Sequence, residues 1–190
     1  MHDSPLLKSA VFSGILLVLV VLTHEIIWPL EEILFGEFFQ HAVLVYLPLG
    51  YWVIVAYYER WWASVYLAPG LAIGLMCYGN PEVSLAGQIG NLVVLATSAP
   101  LVFAFFSWAS DRENEPMSEP VAWRLIVAVG IVSAIVNSLG LHIVRYHVLP
   151  DAVSLPSIMQ YTTSGALGLF LCLIVLSVVF RIRNKVMKTN

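Results

Sequence analysis

Charge is what this sequence has least of. Only 11% of its 190 residues are Asp, Glu, Lys or Arg, less than half the fraction that coats a typical soluble domain. Of the whole chain 59% is hydrophobic, and its mean hydropathy is +0.86. A soluble globule built from this composition would have too little polar surface, so the expected class is an integral membrane protein. The net charge of −3, with no basic patch, excludes a nucleic-acid partner. Cysteine is nearly absent too. Cys77 and Cys172 have no CxxC partner, which excludes a disulfide framework or a cysteine zinc site; both are expected to be small packing residues.

Catalytic and metal-binding signatures are also missing. His24, His41, His142 and His147 form no HxxxH or HExxH spacing. His41 with His142 makes the best candidate haem pair, but interface histidines bound to water are the expectation. No paired carboxylates interrupt the apolar runs, no glycine-rich loop cradles phosphate, and no histidine follows Ser164 to serve a serine nucleophile. The reading is a non-enzymatic protein without metal or cofactor. The first apolar run has one preceding lysine and no small-residue cleavage site before Glu25, so it is expected to remain as a helix of the mature chain.

What the sequence has is apolar runs of spanning length. A transmembrane helix needs about 20 mostly apolar residues, and charges divide the chain into six such stretches. These are approximately 9–28, 41–58, 61–78, 84–108, 121–144 and 155–180. They show no alternation of the kind a membrane β-barrel needs. The expected fold is all-α: one transmembrane domain over 1–190, a polytopic bundle of six transmembrane helices. Leu30–Gln40 could add an interfacial helix, with Ile33, Leu34 and Phe38 toward lipid and Glu31 and Glu32 toward water.

Orientation follows from the basic residues. With the N-terminus inside, Lys8, Arg60, Arg112, Arg124, Arg181, Arg183, Lys185 and Lys188 are cytoplasmic and only Arg145 is outside, as the positive-inside rule requires. Both termini are then cytoplasmic, in a bacterial inner membrane. Trp61, Trp62, Trp108 and Trp123 fall at the inner boundary and Trp28 at the outer one, as an aromatic belt does. The outer connections are acidic, with Glu31, Glu32, Glu37, Glu82 and Asp151.

Polar residues at hydrocarbon depth are costly and tend to face a bundle interior or a wet cavity. Here they gather in the outer half. Gln88 and Asn91 lie early in the fourth run, Asn137 and His142 late in the fifth, and Gln160 early in the sixth. These five are the candidate ligand-binding residues. Three amides at one depth offer both donors and acceptors to a small polar ligand. The alternative is that they hydrogen-bond one another across helices.

Several short motifs resemble a known family. Leu47-Pro48-Leu49-Gly50 is followed by Arg60 and then by Ala68-Pro69-Gly70 and Gly74. Ile89-Gly90-Asn91, Asn137-Ser138-Leu139-Gly140 and Gly165-Ala166-Leu167-Gly168 come later in the same order. This succession, over residues 41–175, resembles MASE1-type domains, the integral-membrane sensory modules of bacteria. Departures are a smaller number of helices, Gly165 where the family often has Asp, and no following output domain. The resemblance implies a sensory role, with a ligand bound from the outer face. In size and helix count the chain is also similar to the substrate-binding membrane components of vitamin-uptake transporters. A third expectation is an accessory subunit of a larger membrane complex. All three imply contact with lipid and either self-association or a membrane protein partner; the transporter reading adds a small-residue docking face, supplied by Gly14 and Ser13 or by Gly165 and Gly168.

Overall fold

The computed structural model describes residues 4–36, 42–81, 83–109, 119–147 and 153–189, with the side chains of 119–122 and 183–189 left aside. The described residues form six helices and no strand: α1 Pro5–Phe35, α2 Leu47–Glu59, α3 Trp62–Tyr78, α4 Leu85–Ala109, α5 Glu119–Tyr146 and α6 Leu155–Thr189. Four stretches are long and apolar enough to cross a bilayer: Pro5–Phe35, Leu85–Ala109, Trp123–Tyr146 and Leu155–Ile182. These mark the chain as a membrane protein. Helix α3, with 17 residues, is apolar but shorter, and α2 has only 13 residues.

The short helix is the central one. Helix α2 packs against α1, α3, α4, α5 and α6, while the other helices touch mainly in the order α1–α3–α4–α5–α6. The five longer helices thus form an arc around α2. That position explains its burial: Trp52, Val53 and Ala56 are fully enclosed and Leu49 and Val55 nearly so. A helix walled by other helices has little contact with lipid, so it need not match the bilayer in length.

Small residues permit this closeness. A Cβ placed on Gly50 would lie 2.6 Å from the Gly168 carbonyl oxygen, and one on Gly168 would lie 2.0 Å from that of Tyr46. Backbones this near admit only glycine. Gly165 and Gly168 therefore face α2 and Tyr46 rather than forming an outward docking face. On α1, Ser13 is buried against α3, whereas Gly14 is exposed. The Ser13 hydroxyl enters the α3 ladder next to Pro69: Gly70 N–H donates to Ser13 Oγ (3.0 Å), which donates to the Tyr66 carbonyl (2.8 Å). An inserted hydroxyl beside a proline is a common origin of a bend.

Helix α1 differs most from its expected course. It starts at a Ser4 cap, whose side chain accepts from Leu7 N–H, with Pro5 in the first turn, a favourable start. It then continues to Phe35 through a π-helical turn at Thr23–Ile27. Pro29 explains the wide turn, because a proline ring clashes with the carbonyl four residues earlier, here Glu25, and lacks the donor for it. Thr23 Oγ1 and His24 Nδ1 also bond the carbonyls of Leu19 and Val20.

The Leu30–Phe35 portion of the expected interfacial helix is thus the end of α1, and Phe38 lies outside the described residues. Glu31 does not face water. It is 8% exposed, and its carboxylate accepts the N–H groups of Leu44 (2.5 Å) and Val45 (3.1 Å). Those backbone donors precede a helix and have no ladder partner, so a buried carboxylate is satisfied by them. Helix α2 starts at Leu47, six residues after the expected 41, because Pro48 is tolerated in a first turn but lacks an N–H and clashes with the carbonyl four residues earlier, so the helix cannot extend back past it. Cys77 is exposed rather than packed inside, while Cys172 is partly buried with its thiol near the Leu47 carbonyl.

Candidate functional site

A 13-residue helix rises about 20 Å, while a bilayer's hydrocarbon core is about 30 Å thick. Because α2 begins late, its N-terminal end leaves space within the arc. A cavity of about 360 Å³ occupies that space, lined by parts of all six helices and by the segment 42–46. Small-molecule sites begin at about 300 Å³. The cavity lies where α1, α3 and α5 end and where α2, α4 and α6 begin.

Asn91 and Asn137 line this cavity together, and Ser164 joins them from α6. Asn91 and Asn137 are each 7% exposed and Ser164 3%. The Asn91 Oδ1, Asn137 Oδ1 and Ser164 Oγ atoms are buried without a hydrogen-bond partner among the described residues. A buried polar group without a partner costs about 1–3 kcal/mol. Three at one cavity, from α4, α5 and α6, call for water or a ligand to satisfy them. Helix length sets their depth: Asn91 lies about 9 Å from the start of α4 and Asn137 about 14 Å from the end of α5, at about 1.5 Å per residue.

The other three candidate residues lie outside the described lining of the cavity. His142 is 2% exposed, and both ring nitrogens are engaged: Nδ1 with the Ser138 carbonyl (2.7 Å) and Nε2 with Ser157 Oγ (2.9 Å). It fastens α5 to the start of α6. Gln88 donates to the Val83 carbonyl at the start of α4 (3.4 Å). Gln160 is half-buried on α6. His41 lies outside the described residues, as do Glu37, Glu82 and Asp151. Among the described residues no three His, Cys, Asp or Glu side chains cluster in a way that could hold a metal ion.

Several cavity residues were not singled out from the sequence. Arg145 is the only charged side chain among the described lining residues. Its Nη1 donates to Tyr161 Oη (2.7 Å), and its guanidinium lies 4.8 Å from the centre of that ring. No described carboxylate pairs with it. Elsewhere in the lining, the His24 ring stacks on Tyr78 (4.4 Å between centres), with Trp28 at 5.9 Å and Tyr46 edge-on at 6.4 Å. The Tyr78 hydroxyl is held by Glu25 (2.9 Å). A signal for Arg145 was present in the sequence: it is the one basic residue that the charge distribution leaves on the outer, acidic side. The aromatic cluster had no such signal, because its members come from α1, α3 and the segment before α2.

The segment 42–46 closes one side of the cavity through Ala42, Val43 and Tyr46. Two ties hold it: Glu31 grips its N–H groups from α1, and Tyr46 N–H donates to the Ser164 carbonyl of α6 (3.1 Å). The site therefore belongs to a helical membrane protein with a mostly apolar cavity at one end of its bundle, into which three unpartnered oxygens and one charge among the described residues project. No family model, curated protein or solved structure matches the chain.

Proposed function

We propose that the protein is a non-enzymatic integral membrane module that binds a small molecule in this cavity and acts through a membrane partner. The supporting observation is the convergence of three buried, unpartnered oxygens, from Asn91, Asn137 and Ser164, on one cavity of ligand size. Trp52 Nε1, Ser98 Oγ and Ser133 Oγ are also buried without a described partner, but away from the cavity, so it is the convergence on one cavity that favours a ligand over an accessory subunit with none. The order of short motifs that resembles MASE1-type domains supports a sensory role, and the charge distribution supports six spans with both termini cytoplasmic. On that orientation the cavity opens to the outside of a bacterial inner membrane. A transporter component would use the same cavity, and the partner recovered would tell the two apart.

The test is purification in native lipid nanodiscs, followed by mass spectrometry of co-purifying small molecules and proteins. Asn137→Leu keeps a similar volume and removes the amide. A small molecule present with the wild type and lost from a normally inserted Asn137→Leu variant is the expected result. Identical small-molecule content in both would overturn the reading.

A further inference from the structure

We infer that the cavity takes a small, flat-ringed organic acid, its anionic group on Arg145 and its ring among His24, Trp28, Tyr46 and Tyr78. The inference rests on the cavity being a ligand site and adds the class of ligand.

Charge comes first. Arg145 is the single charged residue in the described lining, and no described carboxylate pairs with it. A partly buried cation with no counter-ion among the described residues favours an anionic partner in a poorly solvated setting. The guanidinium has five donors in a rigid fork, and one Nη1 contact to Tyr161 leaves most of them for another acceptor. The stack with the Tyr161 ring fixes the plane of that fork. A planar carboxylate matches it with two parallel hydrogen bonds.

Shape and donors follow. Four aromatic rings gather in the cavity lining, three of them around His24 within 6.4 Å centre to centre. Offset and edge-on contacts of this kind suit another flat ring. Deeper in, Asn91 Oδ1 and Asn137 Oδ1 are acceptors without donors. A ligand satisfies them with N–H or O–H groups away from its acid end. A cationic ligand has no described carboxylate in the lining to meet it, and would be repelled by Arg145.

A series of probes with one ring and three charges tests this. Its members are 4-hydroxybenzoate, 4-hydroxybenzamide and 4-hydroxybenzylamine, titrated by calorimetry onto the full chain in neutral phosphatidylcholine nanodiscs, so that no anionic lipid competes. The acid should bind roughly tenfold or more tighter than the amide, as a charge-assisted contact does over a neutral one, and the amine weakest. Arg145→Gln should remove the preference for the acid, and Arg145→Lys should restore part of it. The wild-type ranking needs no variant, so a poorly folding Arg145→Gln leaves the test intact. Gly74→Phe, which fills the cavity from α3, separates the two levels of the reading. If the amide or amine binds as well as the acid and Gly74→Phe abolishes that binding, the cavity is a site but the acid assignment is overturned. If no probe binds, the acid assignment is overturned while the cavity reading stands on the co-purification test; if all bind Gly74→Phe equally, the cavity is not the site and both readings fall.

Discussion

The two ends of the bundle use the same helices for opposite purposes. Toward the α2–α3 turn, side chains fill the interior: Ala56, Ala63, Leu67 and Ala99 are wholly enclosed and Val102 and Phe103 nearly so. The polar tie described there, between Lys8 and Glu59 (2.8 Å), lies partly exposed. Toward the start of α2 the interior is open: among the described residues three oxygens facing the cavity lack partners and the Arg145 guanidinium has no counter-ion, while Trp52 Nε1, Ser98 Oγ and Ser133 Oγ are the unpartnered groups of the packed interior. The difference follows from where α2 begins. A filled interior gains from every apolar contact, whereas an open one gains only from what later occupies it. The first end carries stability and the second forgoes some of it, as ligand sites commonly do.

Substitutions at the two ends should therefore separate stability from binding. The largest effect belongs to the filled half: Trp52 is 0% exposed at the centre of the arc, and Trp52→Ala should cost about 3–5 kcal/mol, seen as loss of a cooperative melt in detergent. A loss no greater than that of Asn137→Leu would break the distinction between the ends. Next comes the wall of the cavity. Glu31→Ala strands the N–H groups of Leu44 and Val45, at about 1–3 kcal/mol, and should speed amide exchange in 42–46 while leaving α3 and α5 protected. Uniform faster exchange across the bundle would show that Glu31 serves the whole fold rather than this wall. Smallest is Asn137→Leu without ligand. Removing an unpartnered buried oxygen is close to neutral, so its melting temperature should match the wild type or rise slightly. A large drop would mean the amide already has a structural partner.

Much of this architecture was legible in the sequence. Charges marked the limits of the apolar runs, so α3, α4 and α5 begin or end within a few residues of their expected bounds. The common depth of Asn91 and Asn137 could be counted at one rise per residue, and both reach one cavity. The central place of α2 could not be read, because a helix apolar on all sides has no face that identifies its neighbours. Its short length was hidden as well: 41–46 is apolar enough to pass for helix, and only Pro48 argues otherwise. His142 shared the depth of the amides, but its ring is consumed by Ser138 and by Ser157 on the next helix, a contact that spacing along one helix does not reveal. The burial of Glu31 was equally hidden, since it depends on backbone donors that lie 13 and 14 residues away.

The π turn of α1 sets a phase. Before it, the inward residues Ser13, Leu16, Val20 and Thr23 follow ordinary helical spacing. After it, Trp28 reaches the cavity and Glu31 the segment beyond. One residue of slippage in a regular helix turns everything downstream by roughly 100°. The wide turn absorbs one residue, so the two stretches of α1 are clocked differently against the same neighbours. Residues are thus not interchangeable in number along this helix. A one-residue deletion within Thr23–Ile27 would close the wide turn to a regular one and leave the indole and the carboxylate near their marks, whereas the same deletion between Ser13 and Leu22 would turn both by roughly 100°.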